Sequence, residues 1–205
     1  MTVLKATKAN IMAAARIVRR GGLVVYPTET VYGLGCDPFN VEAVKRILEV
    51  KGERNMPLPV LAASIVDADK IAFISLNGKQ LAAKFWPGPL TMVFPKKPNF
   101  PAVVTFGLDS VGLRIPGNDV ALQLTRLCGG LLVGSSANRT GEEPPRQVQE
   151  ISGELKEMVD VVLDGGVAAQ GMPSTVADLT SEKPRILREG LISLKAILDA
   201  LALGA

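Results

Sequence analysis

The chain has 205 residues, which at roughly 150 residues per domain suits one sizeable domain, and a globular chain this long buries about 70% of its unfolded surface without needing disulfides or a structural metal. Hydrophobic residues make up 47% and charged ones 21%, and no apolar run reaches bilayer-spanning length, which excludes a disordered chain and a helical membrane span. Twenty-three Lys and Arg against 20 Asp and Glu give a net charge of +3, a balance that permits an anionic ligand without demanding a polyanion.

The start, MTVLKATKANIMAAARIVRR, carries Lys5, Lys8 and Asn10 where a secretory signal has an unbroken apolar core, so a cytosolic (cytoplasmic) protein is expected. Helical and extended patterns then alternate to the end, as in an α/β protein with helices packed on a sheet. Asn10 to Arg20 has a helical stripe of Ile11, Ala14, Ala15 and Val18, stopped by Gly21-Gly22. Leu23 to Thr30 reads as a buried strand ended by Pro27. Val41 to Val50 is a second helix, with Val41, Val44, Ile47 and Leu48 on one face and Lys45, Arg46 and Glu49 outside. PLPVLAA is strand-like, Val66 to Phe73 and Asn77 to Phe85 are helical, and Trp86-Pro-Gly-Pro breaks the pattern. LTMVFP, VGLRIP and LLVGSS follow as extended runs, with Asp119 to Leu127 a helix that Asp119 is placed to cap. Arg139 to Arg146 is a loop, Gln147 to Met158 a helix and VVLDGG a strand. STVADLT and RILREG form a last strand pair, and Ser193 caps a closing helix to Leu203. Fourteen prolines, several beside strands, point to exposed edges and mixed strand directions.

Two features prune the chemistry. With no histidine, Ser-His-Asp and Cys-His nucleophile pairs and His-rich zinc sites are excluded. Cys36 and Cys128 stand apart without C-x-x-C spacing and read as small buried residues in a reducing compartment. One Trp, two Tyr and six Phe leave few platforms for stacking single-stranded bases. Shape-based contact with RNA phosphates stays open.

Five stretches bring polar groups together. PTETVYGLG sets two threonines and a glutamate at a strand end ahead of two glycines, which either let backbone N–H groups approach a ligand or simply turn the chain. It is neither G-x-x-x-x-G-K-[ST] nor G-x-G-x-x-G. Lys51 and Arg54 follow the second helix, as a phosphate grip or as cations complementing the helix dipole. In VGLRIP, Val111, Leu113 and Ile115 share one face and Gly112 and Arg114 the other; the glycine leaves space for an anion, or the arginine faces solvent from an edge. LLVGSSANRTG delivers Ser135, Ser136 and Asn138 to a turn, as nucleotide contacts or as turn caps. Ser174 and Thr175 pair with Arg188 across the last two strands.

In their succession, YPTETVYGLG, KGER with PLPV, FWPGPLT, VGLRIP, SSAN with Gly141, STVADL and ILREG resemble the threonylcarbamoyl-AMP synthase (YrdC-like) family, from about Gly22 to Gly190. The resemblance implies an α/β fold: a twisted open mixed parallel/antiparallel sheet with helices on its faces and a large concave basic cavity, in a single domain over 1–205. It implies condensation of L-threonine, bicarbonate and ATP, with Mg²⁺, into threonylcarbamoyl-AMP and pyrophosphate. A downstream transferase would then use the intermediate to form threonylcarbamoyladenosine in tRNA. By likeness to the family motifs, Thr30, Arg114 and Ser174 bind threonine, Arg114 through its carboxylate. Lys51, Arg54 and Arg188 neutralise the triphosphate, with Lys51 and Arg54 as the catalytic pair. Ser110, Ser136 and Asn138 contact the nucleotide and its phosphates, and no residue is a metal ligand.

The chain also departs from the family pattern. Glu53 stands where many relatives have the arginine of K-x-R, and Arg54 follows it. Leu61 lies near the place of a histidine in some relatives, and Glu142-Glu143-Pro144-Pro145 stands where many offer a serine. Because the last motif lies near the chain's end, the short form is expected, without the extra C-terminal domain of longer synthases. The alternative from another class is a non-catalytic member of the superfamily that binds double-stranded RNA or tRNA.

Overall fold

The structure, a computed structural model, describes residues 2–53 and 56–202, so Arg54 lies outside the described residues. Most helices start where a short polar side chain takes up a free backbone N–H. Thr7 accepts from Asn10 N before α1 (Lys8–Arg19), Asn40 from Ala43 N before α2 (Val41–Lys51), Ser64 from Asp67 N before α3 (Ile65–Asp69), and Ser75 from Gly78 N before α4 (Leu76–Phe85). α5 (Ala102–Thr105) starts at Pro101 without a side-chain cap. Asn118 accepts from Ala121 N before α6 (Asp119–Leu127), Ser152 from Leu155 N before α7 (Gly153–Met158), and Ser193 from Ala196 N before α8 (Leu194–Ala202).

Three expectations are corrected here. Asn118, not Asp119, caps α6; Asp119 occupies the first turn, where a carboxylate favours the helix's positive end. The helix expected over Gln147 to Met158 is interrupted, because a 3-10 turn at Val148–Glu150 ends and Ser152 caps a fresh start. The helix expected over Val66 to Phe73 stops at Asp69, because Ile71 and Ala72 turn into the core and Ala72 bridges to Lys96.

The strands are β1 (Thr2–Lys5), β2 (Val24–Tyr26), β3 (Gly33–Gly35), β4 (Val60–Ala62), β5 (Leu90–Pro95), β6 (Ser110–Arg114), β7 (Leu131–Val133), β8 (Ser135–Ser136), β9 (Val161–Asp164), β10 (Thr175–Asp178) and β11 (Arg185–Arg188). They form two sheets of mixed direction, ordered β1-β9-β2-β3-β8 and β11-β10-β5-β6-β4-β7. β9 runs parallel to β1 and β2, β4 to β6, and β5 to β10, while the remaining pairs are antiparallel. The mixed directions agree with the proline-rich strand borders; the chain passes between the sheets after β3, after β7 and after β9, and the passage from β7 to β8 turns on the one residue Gly134. A Cβ at Gly134 would stand 2.7 Å from Leu61 Cγ, so the crossing needs a residue without one.

β3 holds both glycines of PTETVYGLG, and Gly33 also lines the cavity that the two sheets border. They are strand residues opposite β2, lying over the Tyr26 ring, and a Cβ on Gly35 would meet Val133 O at 2.4 Å. Both faces of the β2 sheet are covered, as strict alternation records: Val24 and Tyr26 pack with Ile11, Ala14, Ala15 and Val18 of α1, while Leu23 and Val25 join the larger core with Val44 and Ile47 of α2.

β1 is pinned to β9 by Lys5 Nζ and Asp164 Oδ2, 2.6 Å apart. Lys5, and the Gly166 N–H donated to the same carboxylate, hold the Asp164 pKa below the usual carboxylate range against the opposing effect of burial. A depressed folded-state pKa contributes stability above the unfolded value of about 3.9 that disappears as pH falls through the folded value. Lys5 is largely exposed, so the whole contribution should be about 1 kcal/mol. Asp164→Asn is therefore expected to lower the urea midpoint at pH 7, with the two proteins converging in stability once the wild-type carboxylate is protonated. Equal midpoints at neutral pH would contradict this assignment.

Candidate active site

The two sheets border a cavity of about 630 Å³, within the size range of small-molecule sites. Alternation along β6 puts Ser110, Gly112 and Arg114 on its wall, while Val111 and Leu113 are buried behind. The loop after β2 adds Thr28 and Thr30, and the segment from β8 onward adds Ser136 and Asn138. Lys51 enters from the last residue of α2, and Ser174 and Arg188 from β10's approach and β11. Every site residue expected from the sequence, Arg54 aside, therefore faces one basin. Its described cations are Lys51, Arg114 and Arg188, and none of its described lining residues is Asp or Glu.

Arg114 is fixed by three groups from two segments. Its Nε donates to Gly88 O at 3.0 Å, both terminal nitrogens donate to Thr30 Oγ1 at 3.2 Å, and Nη2 pairs with Glu29 Oε1 at 2.6 Å. Trp86-Pro-Gly-Pro, which the local pattern reads as a break, thus supplies a carbonyl that orients the arginine. Thr30 shares a hydroxyl contact of 2.8 Å with Thr28, whose Oγ1 also lies 2.6 Å from Val31 O. Arg114 is 7% exposed, so the reading of a solvent-facing edge arginine does not apply.

Lys51 is 2% exposed and donates to the carbonyls of Ser136, at 2.8 Å, and of Asn138. Those carbonyls lie far along the chain, so the lysine ties α2 to the SSAN turn and does more than complement its own helix. Asn138 Nδ2 donates to Arg139 O and Glu142 O at 2.8 and 2.7 Å, which closes the turn that Glu142 to Pro145 extends. At the opposite wall, Arg188 donates to Ser174 O at 3.1 and 2.8 Å and to Ser174 Oγ at 3.2 Å; that hydroxyl also lies 2.8 Å from Thr91 Oγ1. Burial and the Arg114 charge lower the Arg188 pKa. Two guanidiniums that repel each other across a cavity favour an anion between them.

Glu29, Gly88 and Thr91 are the contributors that sequence reasoning left without roles. A carboxylate in PTET and a threonine in the otherwise apolar LTMVFP are the signals they leave. Among the described residues no three His, Cys, Asp or Glu side chains converge as a metal site. Cys36 is buried and Cys128 partly so, both unpaired, and burial pushes the Cys128 thiol up to about 12. No helix among the described residues is long and apolar enough to cross a membrane.

Mixed sheets bordering a cation-lined cavity, with helices packed against them, define an α/β domain of the YrdC-like type. The chain belongs to the Sua5/YciO/YrdC family, whose model, described as "Telomere recombination", matches residues 16–190. It is 40% identical over 190 residues to the threonylcarbamoyl-AMP synthase of Pyrococcus abyssi, covering 92% of this chain and 56% of that protein. To the threonylcarbamoyl-AMP synthase of Halorhodospira halophila it is 36% identical over 171 residues, covering 82% of this chain and 90% of that one. The crystal structure of P. abyssi Sua5 complexed with L-threonine superposes with a TM-score of 0.94 at 37% identity, covering 98% of this chain and 61% of that one. The chain thus spans little more than half the length of its Pyrococcus relative.

Proposed function

We propose that this protein is a threonylcarbamoyl-AMP synthase, a nucleotidyltransferase that condenses L-threonine, bicarbonate and ATP with release of pyrophosphate. The observation that carries the reading is that one cavity is lined by buried Lys51 and Arg114 together with Arg188, with no lining carboxylate among the described residues. Carboxylation of the threonine amine gives a carbamate, whose oxygen attacks the ATP α-phosphorus while pyrophosphate departs in line. Such a step is driven by positioning and charge neutralisation, so a chain without histidine is equipped for it. Arg114, Thr30 and Ser174 are assigned to threonine. Lys51, Arg188, Ser110, Ser136 and Asn138 are assigned to the nucleotide and its phosphates, together with Arg54.

Mg²⁺ would enter as part of the Mg·ATP substrate, held chiefly by phosphate oxygens and water. The product is assigned to tRNA threonylcarbamoyladenosine formation through a downstream transferase in the cytosol. A duplex-RNA-binding role is less well supported, because Lys51 and Arg114 are only 2% and 7% exposed and cannot meet a phosphate backbone that stays outside. Incubation with labelled threonine, bicarbonate and Mg·ATP should release pyrophosphate only when all three are present and yield the mixed anhydride by mass spectrometry. Release independent of threonine, or none from folded protein that binds both substrates, would overturn the proposal.

A further inference from the structure

A cavity that must hold a triphosphate beside an amino acid has a sorting problem, since any of its cations attracts phosphate more strongly than a single carboxylate. Arg114 differs in its surroundings from Arg188, whose recorded partners are the neutral carbonyl and hydroxyl of Ser174. Arg114 carries its own counter-ion. Glu29 Oε1 sits 2.6 Å from Nη2 and also accepts the Gly117 N–H at 2.9 Å, in a pair whose side chains are 8% and 12% exposed. Glu29 is held rigidly: its backbone carbonyl accepts from Gln170 N, and a Cβ at Gly117 would come within 3.1 Å of its carboxylate. Its second oxygen, Oε2, is buried and has no donor, so part of the carboxylate's negative potential is left uncompensated by the protein.

We infer that Glu29 is a specificity-determining residue, reserving Arg114 for an α-amino acid by making that end of the cavity repel phosphate. Glu29 does not itself line the cavity; it acts through Arg114. A polyphosphate approaching the guanidinium meets the carboxylate field behind it, whereas a zwitterion brings one carboxylate for Arg114 and an ammonium that the same field attracts. Rigid placement matters because a mobile glutamate would swing away and expose the arginine to phosphate. The inference rests on the threonine and ATP assignments proposed above.

The test is calorimetric and uses binding alone. L-threonine is titrated into the full chain with and without inorganic pyrophosphate, in the wild type and in Glu29→Gln, which keeps an oxygen for Arg114 and Gly117 while removing the charge. In the wild type, pyrophosphate should leave threonine affinity unchanged within a factor of about two. In Glu29→Gln, it should weaken apparent threonine affinity by roughly tenfold or more, as the uncovered arginine takes phosphate. Equal insensitivity in a folded Glu29→Gln protein would overturn the inference, and so would direct competition in the wild type, which holds even if the variant does not fold. Absence of threonine binding to the wild type would instead count against the proposed function.

Discussion

Arg114→Ala is expected to raise the KM for threonine by roughly ten- to hundredfold with little change in the KM for ATP, because one charge-assisted contact to a buried anion is worth about 1.5 to 3 kcal/mol. The same variant should be markedly less stable. Arg114 neutralises Glu29 in a pair 8% and 12% exposed, and removing one member of a buried pair costs about 3 to 5 kcal/mol by leaving the other charge uncompensated. The two consequences separate in Arg114→Met combined with Glu29→Met, which removes both charges and keeps the bulk. That double variant should recover most of the lost melting temperature and none of the threonine use. Steady-state kinetics with each substrate varied in turn, alongside thermal unfolding, reads both effects. A parallel loss for ATP and threonine would contradict a dedicated amino-acid arginine.

How far such assignments were legible in the sequence depends on the range of the interactions involved. The face shared by Ser110, Gly112 and Arg114 follows from the period of two that any strand imposes, and the stripe on α1 from a period near 3.6. The partners of Arg114 do not follow from any local pattern. Thr30 lies 84 residues earlier, Gly88 acts through a backbone carbonyl that carries no letter, and Glu29 reads as one polar residue among several at a strand end. The glycines of PTETVYGLG were ambiguous for a related reason. A close approach to Tyr26 across a strand pair and a close approach to a ligand ask for the same missing Cβ; the pairing with β2 shows the first, and Gly33 lines the cavity as well. The tight crossing from β7 to β8 turns on Gly134, whose role appears only when Leu61 is seen packed against it. At α6, Asn118 and Asp119 are both competent caps, and the extended backbone of Asn118 decides between them.

Lys51→Ala should have the second large effect, and its direction follows from what the ammonium holds. Lys51 is 2% exposed and bonded to the carbonyls of Ser136 and Asn138, the residues assigned to the nucleotide. Its loss removes a positive charge from the phosphate end of the cavity and orphans two carbonyls that fix the SSAN turn. The first change weakens ATP binding directly, because attraction between a cation and a polyanion is strong where water is excluded. The second loosens Asn138, leaving its Nδ2 contacts to Arg139 O and Glu142 O and the backbone contacts of Arg139, Thr140 and Glu142 to hold the turn. Together they should raise the KM for ATP by about a hundredfold or more, beyond the roughly tenfold expected from one contact. The threonine dissociation constant, measured without nucleotide, should stay within about threefold, since Arg114 and Thr30 are held by a separate set of contacts. Lys51→Met, which restores the bulk but neither the charge nor the two hydrogen bonds, tests the contribution of packing: ATP use still lost with a melting temperature near wild type assigns the effect to the ammonium, whereas recovery of ATP use would mean that packing alone mattered.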